Sequence, residues 1–165
     1  MLKGIKYLID KILHFFYPIF KKWMPFQTYA YLAVGAANTL LNIGLFIVVF
    51  GLLTAFKQVE IMHINFTFFA VEIATIISFL VSVITGFWLS KNFAFTNASN
   101  EKKEQQKQFG KYFLVSLQGQ FSDYLITKGL IIFLFIHPTI AYLISTVIML
   151  VLNFFLQKYF TFKSK

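Results

Sequence analysis

The chain has 165 residues, is 58% hydrophobic and 13% charged, and has a mean hydropathy of +0.71. Soluble chains carry about 25% charged residues, so these long apolar blocks indicate an integral membrane protein and exclude a soluble domain. With no cysteine and with lysine as all 15 basic residues, disulfides, thiolate metal sites and the two-point arginine grip on phosphate are excluded. The net charge of +9 sits in lysines flanking apolar blocks, a pattern of membrane topology, and no nucleic-acid partner is expected.

Residues 1–28 hold Lys3, Lys6, Lys11, Lys21 and Lys22 among aliphatic and aromatic residues. The apolar runs between those lysines are too short to span a bilayer, which takes about 20 residues. No small-residue cleavage site follows, so a removable signal peptide is not expected. The segment is expected to form a basic amphipathic helix on the membrane surface, interrupted near Pro18 and Pro25. A frayed leader that only sets topology is the plainer alternative.

Four spans follow. The first covers 29–53, without a charge, and a loop with Lys57, Glu60 and His63 leads to the second at 66–90. Residues 91–111 include NASNEKKEQQKQ, the most hydrophilic stretch, read as a solvated loop. The third span covers 112–136; a tight His137-Pro138 turn leads to the fourth at 139–160, and 161–165 form a tail. Five lysines lie in the leader, five in the central loop and three at the C-terminal end, against one in the other two loops. By the positive-inside rule both termini and the central loop face the cytoplasm.

The spans are repetitive. GFWLSKNFAF at 86–95 returns as NFFLQKYFTF at 153–162, offset by 67, with Lys91 matching Lys158. YLAVG at 31–35 matches YFLVS at 112–116, offset by 81, which sets Asn42 opposite Asp123. The longer first external loop absorbs the difference. The expected fold is an all-α polytopic bundle of four transmembrane helices, made of two parallel-related hairpins.

Each span carries a small-and-polar stripe: Gly35, Asn38 and Asn42; Glu72, Thr75, Ser78, Ser82, Gly86 and Ser90; Ser116, Gln120, Asp123 and Thr127; Tyr142, Thr146, Met149, Asn153 and Gln157. Polar groups in lipid normally face the protein interior. Close packing with interhelical hydrogen bonds, worth about 0.6 kcal/mol each, explains most of them. The ionisable groups need more, because Asp or Lys at a helix centre costs roughly 2.5–3.5 kcal/mol to insert. Glu72 and Lys128 lie at similar depth and are expected to pair, while Asp123 neighbours Asn42 and other polar groups. These groups form either a polar passage or a buried structural network.

Lys91 and Lys158 fall at the level of lipid headgroups, beside Trp88 and Tyr159. Such residues anchor helix ends; they also suit the phosphate of an anionic lipid, met as point charges. Catalytic and metal sites are not expected: His14, His63 and His137 lack ligand spacing, no phosphate-cradling glycine loop is present, and no hydrophilic segment is large enough for a catalytic domain. No cofactor is expected and the chain is not read as an enzyme.

Together YLAVG with Asn38, Thr39 and Asn42, LSKNFAF at 89–95, the stretch 112–123, and NFFLQKYFTF at 153–162 carry a resemblance. Over 26–162 the chain resembles the GtrA-like family of small bacterial membrane proteins. Family members end each hairpin with Asn, a basic residue and an aromatic-x-Phe; here Gly86 replaces the first Asn, and Lys stands where Arg is common. The resemblance implies a multi-pass protein of the bacterial cytoplasmic (inner) membrane. It implies movement of polyprenyl-phosphate-linked sugars between leaflets for cell-surface polysaccharide assembly or glycosylation. Lys91, Lys158, Asn153, Trp88 and Tyr159 would meet the lipid phosphate; Asn42, Glu72, Asp123 and Lys128 would supply polar groups within the membrane. The family is also similar to the membrane domain of some polyprenyl-phosphate sugar synthases, which leaves a non-transporting scaffold for a partner glycosyltransferase as the alternative. A small multidrug-type exporter is a third reading, disfavoured by lysine at the inner face. Four helices enclose little space, so a homodimer is a reasonable addition.

Overall fold

The computed structural model describes residues 2–55 and 66–163. The expected loop with Lys57, Glu60 and His63 lies outside the described residues. Among these residues every regular element is helical, and the chain divides into two compact units, Met1–Ala94 and Phe95–Lys165.

The first unit opens with α1 (Leu2–Phe20). Its apolar residues recur at helical spacing, and Ile5, Leu8, Ile12, Phe16 and Ile19 stay exposed. The break expected at Pro18 is absent: Pro18 lies inside α1. A proline in the last turn forgoes only the bond its N–H would make four residues back. The chain instead leaves the helix through residues 21–24, where the N–H of Met24 reaches the Phe20 carbonyl at 3.1 Å. Pro25 then precedes α2 (Phe26–Ala55). Leu13 is buried, and rings tie α1 to α2: His14 lies 4.5 Å from Phe26, and Phe20 stacks on Tyr29 at 5.2 Å.

Helix α3 (Phe66–Leu89) packs along α2. Ala70, Ala74, Ser78, Ser82 and Gly86 are buried along α3 at steps of four, a row that Ser90 continues just beyond its end. Small residues at that spacing let two helices approach closely, which is how helices associate in lipid. Tyr31 and Val34 of α2 are buried in the same unit.

In the second unit α4 (Lys102–Leu134) packs against α5 (Pro138–Leu156). The hydrophilic stretch read as a loop is partly helix, since α4 begins at Lys102. Its Lys, Glu and Gln are good helix formers, Glu104 complements the positive helix start, and Lys107 pairs with Glu104 at 3.0 Å. Phe135 takes a left-handed conformation (φ 53°) with its N–H on the Leu130 carbonyl. Pro138 then opens α5, at a position where a missing N–H costs nothing.

Both α3 and α5 run on into π-helical turns, Ser90–Ala94 and Gln157–Thr161. Here each N–H bonds five residues back instead of four, as the Phe162 N–H does to the Gln157 carbonyl at 2.8 Å. The turns begin 67 residues apart, at the offset found in sequence, and each contains its copy's lysine. Such turns are rare and frequently mark functional sites.

Among the described residues three helical segments are long and apolar enough to cross a membrane: Phe26–Ala55, Ala70–Ala94 and Ile140–Thr161. Helix α4, with 33 residues, reaches about 50 Å at 1.5 Å per residue. Ser116, Gln118, Gln120, Ser122, Asp123 and Lys128 make it the least apolar of the long helices.

Candidate functional site

In the α2–α3 seam the polar stripes meet through hydrogen bonds. Asn38 donates from Nδ2 to the Ser82 carbonyl at 2.9 Å and accepts from Thr85 Oγ1 at 2.6 Å. One turn along, Asn42 Nδ2 donates to Ser82 Oγ at 3.0 Å. The carbonyl held by Asn38 lies one turn before buried Gly86, so the α2 amide is held against α3 within a turn of that glycine. An amide left unpaired in lipid costs several kcal/mol, and Asn38 avoids that cost with both amide atoms engaged.

The α4–α5 seam uses the same plan with the parts exchanged. Offset 81 pairs Asn38 with Gly119, and offset 67 pairs Gly86 with Asn153. Here the glycine is on the first helix and the asparagine on the second. A Cβ built at Gly119 would lie 3.0 Å from Asn153 Nδ2 and 3.3 Å from its Oδ1, so the Asn153 amide rests directly on the glycine. The departure of Gly86 from the family pattern thus has a physical counterpart: the first copy carries its amide on the facing helix. Asp123, the counterpart of Asn42, accepts from Ser145 Oγ at 2.5 Å, and the same hydroxyl lies 2.9 Å from the Asp123 carbonyl.

Several stripe residues named from sequence lie elsewhere. Glu72 and Thr75 are exposed, because they precede or follow the Ala74 position on α3 and point away from the seam. On α4 the buried position is Gly119, not Gln120; on α5 they are Ala141 and Ser145, not Tyr142 and Thr146. Ser145, the partner of Asp123, escaped the sequence reading. Offset 67 would have found it, since Ser145 and Ala141 match buried Ser78 and Ala74. Lys128 is exposed, its ammonium 5.7 Å from the centre of the Tyr124 ring. Glu72 and Lys128 belong to different units. The observed partners of Asn42 and Asp123 lie each within its own hairpin.

The five residues expected to meet a lipid phosphate divide between the units. In the first, Lys91 is 8% exposed, and Trp88 packs edge-on against Phe93 at 5.8 Å while its carbonyl accepts from Asn92 Nδ2 at 2.8 Å. Lys6 of α1 donates to the Asn92 Oδ1 at 3.1 Å, tying the N-terminal helix to this turn. In the second unit, Lys158 is more accessible: its ammonium lies 5.4 Å from the Tyr159 ring and 5.7 Å from Phe154, and among the described residues no carboxylate pairs with it. Tyr159 is 61% exposed. Asn153 lies on the seam, apart from that cation. Phe95, the last residue of the first copy, stacks on its own counterpart Phe162 at 4.8 Å.

Lys91 and Lys158 therefore differ in kind. Lys91→Gln is expected to lower thermal stability, because a buried side chain shaped around an ammonium loses its contacts. Lys158→Gln, at a half-buried position whose ammonium lies against two rings, is expected to cost less stability than Lys91→Gln and to weaken retention of anionic lipid in a lipid-binding assay.

These features describe a helical membrane protein of two related units, each a close-packed hairpin that ends in a lysine-bearing π-turn. The family model of the GtrA/DPMS transmembrane domain matches residues 30–162, and the chain belongs to that family. Comparisons with curated proteins and with solved structures return no significant match.

Proposed function

We propose that the protein moves polyprenyl-phosphate-linked sugars from the cytoplasmic to the outer leaflet of a bacterial cytoplasmic membrane, serving cell-surface polysaccharide synthesis or glycosylation. Membership of the GtrA/DPMS transmembrane family ties the chain to polyprenyl-phosphate sugar processes. The observation that carries the reading further is Lys158, a half-buried cation held among aromatic rings on a π-turn, with no carboxylate paired to it among the described residues. A phosphate diester on a long lipid is the anion that such a membrane-level ammonium suits. In this reading α4 crosses the bilayer as a fourth span, both termini face the cytoplasm, and the lysines of the two π-turns lie at the inner headgroup level. Catalysis belongs to a partner glycosyltransferase. Within the membrane, Asp123 and the seam amides provide polar groups along the path, and the isoprenoid tail stays in lipid.

A second reading has its own support: the family description includes the DPMS transmembrane domain, which favours a scaffold that holds the lipid for a synthase without moving it. Reconstitution into liposomes with a labelled polyprenyl-phosphate sugar separates the two. Transport predicts that label on the inner leaflet becomes accessible outside, and that Lys158→Gln slows this. Binding without any change in leaflet distribution would overturn transport and leave the scaffold.

A further inference from the structure

The two seams are built alike, but their polar groups are not equally satisfied. In the first unit the amides of Asn38 and Asn42 have partners. In the second unit Gln108 is 5% exposed and Thr161 2% exposed, yet Gln108 Oε1 and Thr161 Oγ1 have no hydrogen-bond partner among the described residues. A buried polar atom without a partner costs about 1–3 kcal/mol, so two of them in one small region are an expense that packing does not explain.

Their position is specific. Gln108 lies one turn before Lys111 on α4, and residues three apart share a helix face. Lys111 reaches across to the second π-turn, donating to the Phe160 carbonyl at 3.1 Å with its ammonium 4.8 Å from the centre of that ring. Tyr112 approaches Phe162 at 6.2 Å. These contacts bring the 108–112 turn of α4 to the 160–162 end of the π-turn, where Thr161 lies. The region thus holds an ammonium with two protons beyond its carbonyl bond, an amide oxygen that needs a donor, and a hydroxyl that can give or accept.

We propose that the junction of α4 with the second π-turn is a binding site for a phosphorylated, hydroxyl-bearing headgroup. In it Lys111 meets the phosphate, and Gln108 and Thr161 bond the hydroxyls of the attached sugar. A lipid monophosphate is mostly the dianion at neutral pH, its second pKa lying at about 6, and that form has no proton for Gln108 Oε1; a sugar hydroxyl always has one. This deepens the lipid-linked sugar reading and rests on it, by assigning sugar recognition to the second hairpin and to residues outside the twin lysines.

The full chain in nanodiscs tests the site with two probes, polyprenyl phosphate glucose and bare polyprenyl phosphate. The double variant Gln108→Leu, Thr161→Val removes both oxygens and nearly keeps their shapes. It is expected to weaken the glucose-bearing lipid about tenfold or more, the effect of about 1.4 kcal/mol. The bare lipid should change less than about twofold, and thermal stability should hold or rise, because no protein hydrogen bond is lost. Lys111→Gln should weaken both lipids together. Lower stability with unchanged binding would overturn the site and make the two residues structural; equal loss for both lipids in the double variant would overturn the sugar contact. A wild-type chain that holds both lipids equally well overturns this site alone, whereas one that holds neither overturns the lipid-linked sugar reading as well. Competition by glucose 1-phosphate separates the two sources of the headgroup: displacement supports the site with a soluble phosphosugar, and no displacement supports it with the lipid.

Discussion

Gly119→Asn and Asn153→Gly are each expected to destabilise the protein, and the double exchange to recover most of the loss. Gly119→Asn alone drives a second amide into Asn153, whose atoms already lie 3.0 and 3.3 Å from where a Cβ would stand. Overpacking of this kind costs about 1–3 kcal/mol. Asn153→Gly alone leaves a gap opposite Gly119 and adds a glycine to the helix interior, itself about 1 kcal/mol. Together the two changes recreate the first hairpin's assignment of residues, with asparagine (Asn38) on the leading helix and glycine (Gly86) on the returning one. Thermal unfolding of the three variants in detergent, analysed as a double-mutant cycle, measures the coupling. Additive losses would mean that the Asn–Gly exchange between the copies has no energetic meaning.

Asp123→Asn separates a fold role from a transport role. Asp123 is half-buried and accepts from Ser145 at 2.5 Å; asparagine keeps an acceptor there and is the residue that the first copy has at Asn42. Removing a charge that costs roughly 2.5–3.5 kcal/mol to insert should leave insertion and thermal stability equal to or better than wild type. Movement of the labelled lipid between leaflets is expected to fall about tenfold or more, a loss of about 1.4 kcal/mol in the barrier. Unimpaired movement in a folded Asp123→Asn protein would reduce Asp123 to a hydrogen-bond acceptor. Asp123→Leu is the harsher control, since it strands the buried Ser145 hydroxyl without its side-chain partner.

Much of the architecture was legible because lipid imposes simple rules. Apolar runs gave the positions of α2, α3 and α5, and repetition gave the register that the two π-turns obey. The errors have physical causes. Pro18 was read as a break, yet near a helix end its missing N–H removes a single bond. The hydrophilic run before Gln108 reads as a solvated loop by its polarity, although its Lys, Glu and Gln favour helix. Tyr142 and Thr146 were chosen over Ala141 and Ser145 because polarity was used to choose the inward face. In a membrane helix size decides as much as polarity, and alanine and glycine mark the seam.

The sequence by itself determined the class of protein, the apolar helices, the twofold repetition and the two lysine endings. These follow from local composition and spacing, which lipid turns directly into helices. Only the tertiary structure decided that Asn38 and Asn153 sit on opposite helices of equivalent seams, that Lys91 is buried while Lys158 is half-buried, and that Gln108 Oε1 and Thr161 Oγ1 have no partner among the described residues. Each of these depends on what the facing helix presents at a given turn, and two identical local patterns carry no record of that.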